Sequence, residues 1–535
     1  MPTSTPPASD EAARRAFEGK FARARQLILG GNTVAARALN DELLAERPDH
    51  CGALIQRSRL ESDEDNYSLA REYTLSAFRS GAANKRQCLL LLRRLRLFNL
   101  IPELRQLLEG LSPEFMADAD IALSAVKSYE LINDPDSVLR IAAHVSKDGF
   151  SSADLEAAVG LAMLNLGRFD EAEKHFQASL GLDPEHAAAW WHLSRLRKHD
   201  VDHNHIDQLR KKMSDSDNPH RTALLGFALH RELDDLEDYA AAAQALDLAC
   251  SSMRKVVDYD AREDERLFAA LHALPTEATK DAAANEDPSF TPVFIVGMHR
   301  SGTTLLEHLL AGHGDISPGG ELHDFPAQLR LAANHHSASE VDLRIIEASN
   351  QFDFAAIGKG YLDNVEWRSK GRRFVTDKLA SNFLNIGFIL RALPHAKILH
   401  MSRDPMETCF SNLREPFSQS ACRYSYDQVE LAGYYRQYYA LMRHWRKRFP
   451  GRIHDVTYTS LATDPAAELK RVTSYLGIEF QASMLDTDAG SRSVNTASAV
   501  QVRQKPGLPL RPKWQPYREY LTPLSWRLSE VGQRY

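Results

Sequence analysis

The chain has 535 residues, 43% hydrophobic and 26% charged, enough for two or more globular domains. A net charge of −7 leaves no electrostatic footprint for nucleic acid, and no apolar run approaches the roughly 18–20 residues that cross a bilayer. Five scattered cysteines with no C-x-x-C pairing argue against a disulfide framework and against a zinc site, so a reducing, cytoplasmic compartment is expected.

Residues 1–10 have neither a basic start nor an apolar core and are read as a disordered lead, not a secretory signal. From 11 to 274 the chain is rich in Ala, Leu, Arg and Glu with helical periodicity and few strand signals. The clearest piece is Asp154–Pro184, where Gly160, Met163, Gly167, Phe169, Ala172, Phe176 and Pro184 fall at the spacing of a tetratricopeptide repeat, which the segment resembles. Small Gly160 and Ala172 let two antiparallel helices approach, Phe176 fills the gap, and Pro184 stops the second helix. Trp190 and Leu193 open the next repeat, Ala35 to Pro48 is an earlier copy, and Asp234 to Ala243 reads as a further helical hairpin. A stack of such hairpins leaves a concave groove, read either as a docking surface for a protein or peptide or as a structural extension.

A polar stretch with two prolines, Pro275 to Pro288, marks a linker over 275–290. Residues 291–535 then alternate strands and helices, which predicts an α/β domain with a mostly parallel sheet. Val293–Val296 reads as a buried strand. Phe374-Val375, Ala396–His400 and Ile453–Tyr458 read as further strands, with helices over Asn382–Leu393 and Gln428–Phe449 between them. The basic run Arg443–Arg448 is read as the solvated face of the last helix.

The first of these strands feeds Gly297-Met-His-Arg-Ser-Gly302-Thr303-Thr304 and then a helix. Strand, glycine-bounded loop and helix N-terminus together aim backbone N–H groups at one spot, the recipe for an anion cradle. The two glycines keep the spacing of G-x-x-x-x-G-K-[ST], but Thr303 stands where the lysine of a nucleotide triphosphatase belongs, and Arg300 lies inside the loop. A transferring phosphoryl group uses that lysine with Mg²⁺. A sulfuryl group carries less charge and can be handled by hydroxyls, amides and a few cations.

Four separated segments resemble the sulfotransferases that use 3′-phosphoadenosine 5′-phosphosulfate (PAPS), and within them the tyrosylprotein sulfotransferases and their repeat-fused bacterial relatives. The resemblance covers roughly residues 290–525. It implies that Arg300, Ser301, Gly302, Thr303 and Thr304 wrap the 5′-phosphosulfate. It also implies that Glu321, in Gly319-Gly320-Glu321, is the catalytic base, with His323 as the rival and His313 ordering the turn before it. Lys378 would meet the bridging oxygen and the sulfuryl group, where a cation stabilises the leaving phosphate. Arg403 and Ser411 would grip the 3′-phosphate, for which the arginine fork is suited. Arg414 stands one position short of a further family arginine. Tyr458 would contact the nucleotide, Ser498 would assist at the transferring sulfate, and Lys513 would bind a phosphate oxygen, although Pro506, Pro509 and Pro512 crowd that segment.

The expected architecture is therefore an N-terminal tetratricopeptide-like helical array and a C-terminal P-loop-type α/β sulfotransferase domain. The expected reaction is in-line transfer of SO₃ from PAPS to an acceptor hydroxyl. Glu321 takes the proton, Arg300, Lys378 and Ser498 stabilise developing charge, and no metal is required. A peptide tyrosine leads as acceptor, with a glycan, lipid or small-molecule alcohol open. The rival readings are a P-loop kinase or nucleotide triphosphatase and a non-catalytic scaffold. No nucleic acid or membrane partner is expected, and a protein partner would dock on the array.

Overall fold

A computed structural model describes residues 8–147, 149–275, 289–418, 421–486, 507 and 511–532. Among them, sixteen helices precede the first strand. Polar caps start many of these helices: the Ser152 side chain accepts from the Leu155 N–H and that of Asp238 from the Ala241 N–H. The Asp154–Pro184 segment forms the helices Ala153–Asn165 and Phe169–Leu182. The ring of fully buried Phe176 lies so close to Gly160 that a Cβ there would stand 2.7 Å from it. The hairpin expected at Asp234–Ala243 is present between the helices Pro219–Asp235 and Tyr239–Arg254, and Glu237 turns it with a φ of 62°.

The chain forms two compact units, one of residues 1–128 with 327–337, the other of 129–326 with 338–535. In the first, Phe17, Ala24, Leu43 and Ala53 form an apolar cluster, and Arg94 ties neighbouring helices by hydrogen bonds to the Ser58 carbonyl and to the hydroxyls of Ser58 and Ser62. The excursion 327–337 is held by a 2.7 Å contact of His335 Nδ1 with Asp65 and by the Ser68 N–H donating to Asn334.

The second unit joins the later helices of the array to the sheet. Arg254 makes a two-pronged ion pair with Glu430, Cys250 Sγ reaches the Leu413 carbonyl, and Phe268 packs on Phe383 and Tyr434. The sheet has strands β1 (Thr291–Gly297), β2 (Ile316–Pro318), β3 (Phe374–Asp377), β4 (Lys397–Ser402) and β5 (Ile453–Thr457). Its order is β2-β3-β1-β4-β5, and every pairing is parallel. Val293 to Val296 are fully buried, as a central strand covered on both faces requires. The loops that follow the strands therefore lie together along one edge, the edge at which parallel sheets bind ligands.

Three details differ from the periodicity. The segment read as the helix Asn382–Leu393 begins as a 3-10 turn over Ala380–Asn385 and becomes α-helical only at Ile386. The Asn382 side chain is donated to Asp377, and that of Asn385 to Asn382, so local side-chain bonds compete with the helix ladder. Tyr458 closes no strand but opens a helix, because the Thr457 hydroxyl caps it at the Ser460 N–H. The basic run is only partly solvated: the indole of Trp445 is fully buried and donates to the Phe383 carbonyl, and Arg446 pairs with Asp455. The expected linker lies outside the described residues over 276–288.

Replacing Phe176 by Ala empties the gap between two helices and should cost about 3–5 kcal/mol. Urea denaturation followed by helical circular dichroism should show an earlier transition than in the parent.

Candidate functional site

The loop between β1 and the helix Thr303–Leu310 owes its shape to two glycines. A Cβ on Gly297 would stand 2.4 Å from the Met401 carbonyl of β4, and Gly302, with a φ of 109°, would drive one to 2.7 Å from the Tyr458 ring. Arg300 also adopts a left-handed conformation, with a φ of 67°. Such a conformation in a non-glycine residue costs roughly 1–3 kcal/mol and persists only when the surroundings enforce it. Here they do: the Arg300 side chain is buried, its Nε donates to Ser411 Oγ at 3.2 Å, and it lies 4.0 Å from Glu415. Burial, reinforced by the charges of Arg195, Arg414 and Arg403 and opposed by Glu415, pulls the Arg300 pKa down to about 10. Ser301 Oγ is buried without a hydrogen-bond partner, at the foot of a helix whose first N–H groups have no intrahelical acceptor. Donors arranged in this way suit an anion.

The loops after β4 and β5 bring the next groups. Asp404 caps the helix Pro405–Leu413, which carries Ser411 toward Arg300. The Arg403 guanidinium lies 4.5 Å over the Tyr458 ring and donates to Glu407 at 2.6 Å. The other oxygen of Glu407 accepts the Lys513 N–H. Arg300, Ser411, Arg403, Tyr458 and Lys513 thus come together from distant parts of the chain. Ser498 lies outside the described residues.

Glu321 and Lys378 form a direct pair, Nζ to Oε1 at 2.7 Å. Lys378 is 1% exposed, whereas the Glu321 side chain remains 45% exposed. Partial desolvation pushes the Glu321 carboxyl up, but the charge and hydrogen bond of Lys378 outweigh it and hold the group below the usual carboxylate range. Glu321 is therefore ionised at neutral pH. The segment before it is fixed: Glu307 accepts from the Gly320 N–H and from the Thr376 hydroxyl, and the Lys378 N–H donates to the Gly320 carbonyl. His313 orders the preceding turn, accepting the Asp315 N–H and meeting the Glu479 carbonyl.

Other groups at the site carried no assigned role in the sequence reading. His299 lies within the loop, 3.4 Å from the Tyr424 hydroxyl; burial lowers its pKa against the raising effect of Glu321 and Glu340. Its place inside the glycine-bounded loop was the available signal. Asp234, from the array, accepts from Arg414 at 3.2 Å and from the Tyr517 hydroxyl at 2.5 Å. Arg195, also from the array, lies 3.7 Å from Glu415. These long-range contacts have no local signature, and Asp234 gives Arg414 a definite partner.

Tyr424 also lines a cleft of about 310 Å³ with Tyr259, Asp264, Glu340, Arg423 and Tyr434. Tyr424 stacks on Tyr434 with ring centroids 3.6 Å apart. Burial pushes the Asp264 carboxyl up to about 6, against the hydrogen bond from Tyr259 and the charge of Arg423. The folded chain then holds a proton that the unfolded chain releases near its ordinary value of about 4. Stability should fall as pH rises from about 4 to about 6, and Asp264→Asn should remove that contribution. Urea titrations of both proteins across this range check it; identical pH slopes would contradict the assignment.

Comparison with known proteins adds an independent line. Residues 292–482 match the model of the Sulfotransferase family. An uncharacterized protein of Aquifex aeolicus (strain VF5) is 28% identical over 323 residues, 58% of this chain and 41% of its own length. A putative protein-tyrosine sulfotransferase of Caenorhabditis briggsae is 24% identical over 193 residues, 36% of this chain and 68% of its own. The chain thus spans less than half the length of the first of these relatives. Among solved structures, the sulfotransferase domain of the Synechococcus PCC 7002 olefin synthase aligns over 46% of this chain and 98% of its own, at 20% identity and a TM-score of 0.29. The region that matches the Sulfotransferase family model holds most of the parallel sheet, and a helical array precedes it.

Proposed function

We propose that the chain transfers a sulfuryl group from PAPS to an acceptor hydroxyl. The observation that carries this reading is the convergence of Arg300, Ser411 and Arg403 beside a glycine-bounded loop with Thr303 in place of a lysine. The residues fit the donor. The buried Ser301 hydroxyl and the loop amides suit the 5′-phosphosulfate, Arg403 and Ser411 suit the 3′-phosphate, and Tyr458 offers a ring beside the nucleotide. Thr303 and Thr304 supply further donors at the helix start, and Lys513 a further cation. Ser498 keeps its proposed role at the transferring sulfate.

In the proposed reaction the acceptor oxygen attacks sulfur, the S–O bond to the 5′-phosphate breaks, and the acceptor proton passes to Glu321. The products are a sulfate ester and adenosine 3′,5′-bisphosphate. Ionised Glu321 can receive that proton, and its 45% exposure leaves it open to an acceptor. Lys378, held at 2.7 Å from it, is the cation available to the leaving phosphate. We read the acceptor as a peptide tyrosine. The support is the acidic base together with a relative described as a putative protein-tyrosine sulfotransferase. The tyrosine-lined cleft beside His299 is the entry we assign to it, and the array, read as tetratricopeptide-like, would present the peptide. Five buried, unbridged cysteines support the cytoplasm as the compartment. Among the described residues no helix is long and apolar enough to cross a membrane.

Calorimetric titration with adenosine 3′,5′-bisphosphate, against ATP with Mg²⁺, tests the donor site. Arg403→Ala should weaken bisphosphate binding by about ten-fold or more, the loss of a charged hydrogen bond of about 1.5–3 kcal/mol. A preference for Mg-ATP, or no binding of either, would move the kinase or scaffold readings ahead. Glu321→Ala should lower turnover by about 10²–10⁴-fold while bisphosphate affinity holds; unchanged turnover with a verified acceptor would remove Glu321 from the mechanism.

A further inference from the structure

The segment between the helices Ala187–Ser194 and Ile206–Ser214 folds back onto the helix Pro219–Asp235. His199, His205 and Glu232 meet there, and their donor atoms all lie within 4.8 Å of one another. Glu232 is 1% exposed and His199 5%, while the His205 side chain is 27% exposed. Glu232 Oε1 stands 2.9 Å from His205 Nδ1 and 3.4 Å from His199 Nε2. Around an ion with bonds of about 2.0–2.1 Å in tetrahedral geometry, neighbouring ligand atoms stand about 3.3 Å apart. The carboxylate-to-imidazole spacings are therefore within a few tenths of an ångström of what such an ion needs.

The groups behind these ligands are also in place. Asp235 lies 3.3 Å from His199 Nδ1 and accepts the His199 backbone N–H at 3.1 Å. A carboxylate on Nδ1 holds the proton there and turns the Nε2 lone pair toward an ion, the arrangement found behind metal-bound histidines. The second oxygen of Glu232 accepts the His205 N–H at 2.6 Å, which fixes the carboxylate. A carboxylate facing two imidazoles is a donor set that one divalent ion can bridge. We propose that His199, His205 and Glu232 bind a divalent transition ion, with Zn²⁺ the best match to two imidazoles and a carboxylate and water in the remaining position.

This ion is a brace, not part of the transfer chemistry. It ties the segment that begins at Arg195 to the helix that carries Asp234. Arg195 faces Glu415, and Asp234 holds Arg414 and Tyr517. The ion thereby fixes the two array elements that reach the α/β domain beside Arg300.

The test uses the full-length chain without an affinity tag, stripped with chelator and titrated with ZnCl₂ against a chromophoric competitor. One equivalent should bind at micromolar or tighter affinity and raise the melting temperature. The double variant His199→Asn/His205→Asn should lose that equivalent, and Asp235→Asn should weaken it by about 10–100-fold. Equal zinc uptake by the parent and the double variant would overturn the proposal. Because the double variant can misfold, Co²⁺ on the parent gives a second reading. Tetrahedral d–d bands saturating at one equivalent support the site, and their absence overturns it. Neither measurement depends on sulfuryl transfer, so failure here leaves the proposed reaction standing.

Discussion

The close approach of β1 to β4 at Gly297 is the constraint on which the rest of the site depends. With the Met401 carbonyl only 2.4 Å from where a Cβ would sit, the chain can leave β1 only through a residue without one. That exit sets the loop against the loops after β4 and β5. Arg300 then meets Ser411, and Gly302 meets Tyr458. The left-handed backbone of Arg300 follows from this placement, held by the burial of its own side chain.

The second organising force is electrostatic. Arg195, Arg300, Arg403, Arg414 and Lys513 gather in one region, and like charges at such range repel strongly where water is scarce. Carboxylates hold them in place: Glu415 between Arg195 and Arg300, Glu407 on Arg403, Asp234 on Arg414. Removing a carboxylate from such a cluster leaves buried charge uncompensated, so Asp234 and Glu415 matter to the site without belonging to its motifs. Asp234 comes from the helical array, which makes that part of the array integral to the electrostatics of the α/β domain.

Lys378 and Glu321 illustrate the same balance on a smaller scale. The pair is short, one partner is buried and the other remains accessible. An ionised carboxylate within reach of solvent and a sequestered ammonium beside it are complementary groups for a reaction that moves a proton one way and negative charge the other.

The sequence by itself determined what local pattern can carry. The apolar run Val293–Val296, the glycine spacing after it and the Gly160–Phe176 repeat signature announced a buried strand, a glycine-bounded loop and a helical hairpin, because each depends on residues that lie within a single strand-and-turn or a single helical hairpin. The separate segments around Glu321, Lys378 and Arg403 were legible through family resemblance, though not their mutual distances. Only the tertiary structure decided that Tyr458 packs on Gly302, that Asp234 and Arg195 reach Arg414 and Glu415, and that Glu232 lies between His199 and His205. The physical reason is range. Periodicity and capping act between near neighbours, whereas buried charge is balanced by whichever groups the fold brings within a few ångströms, and sequence spacing does not encode that choice.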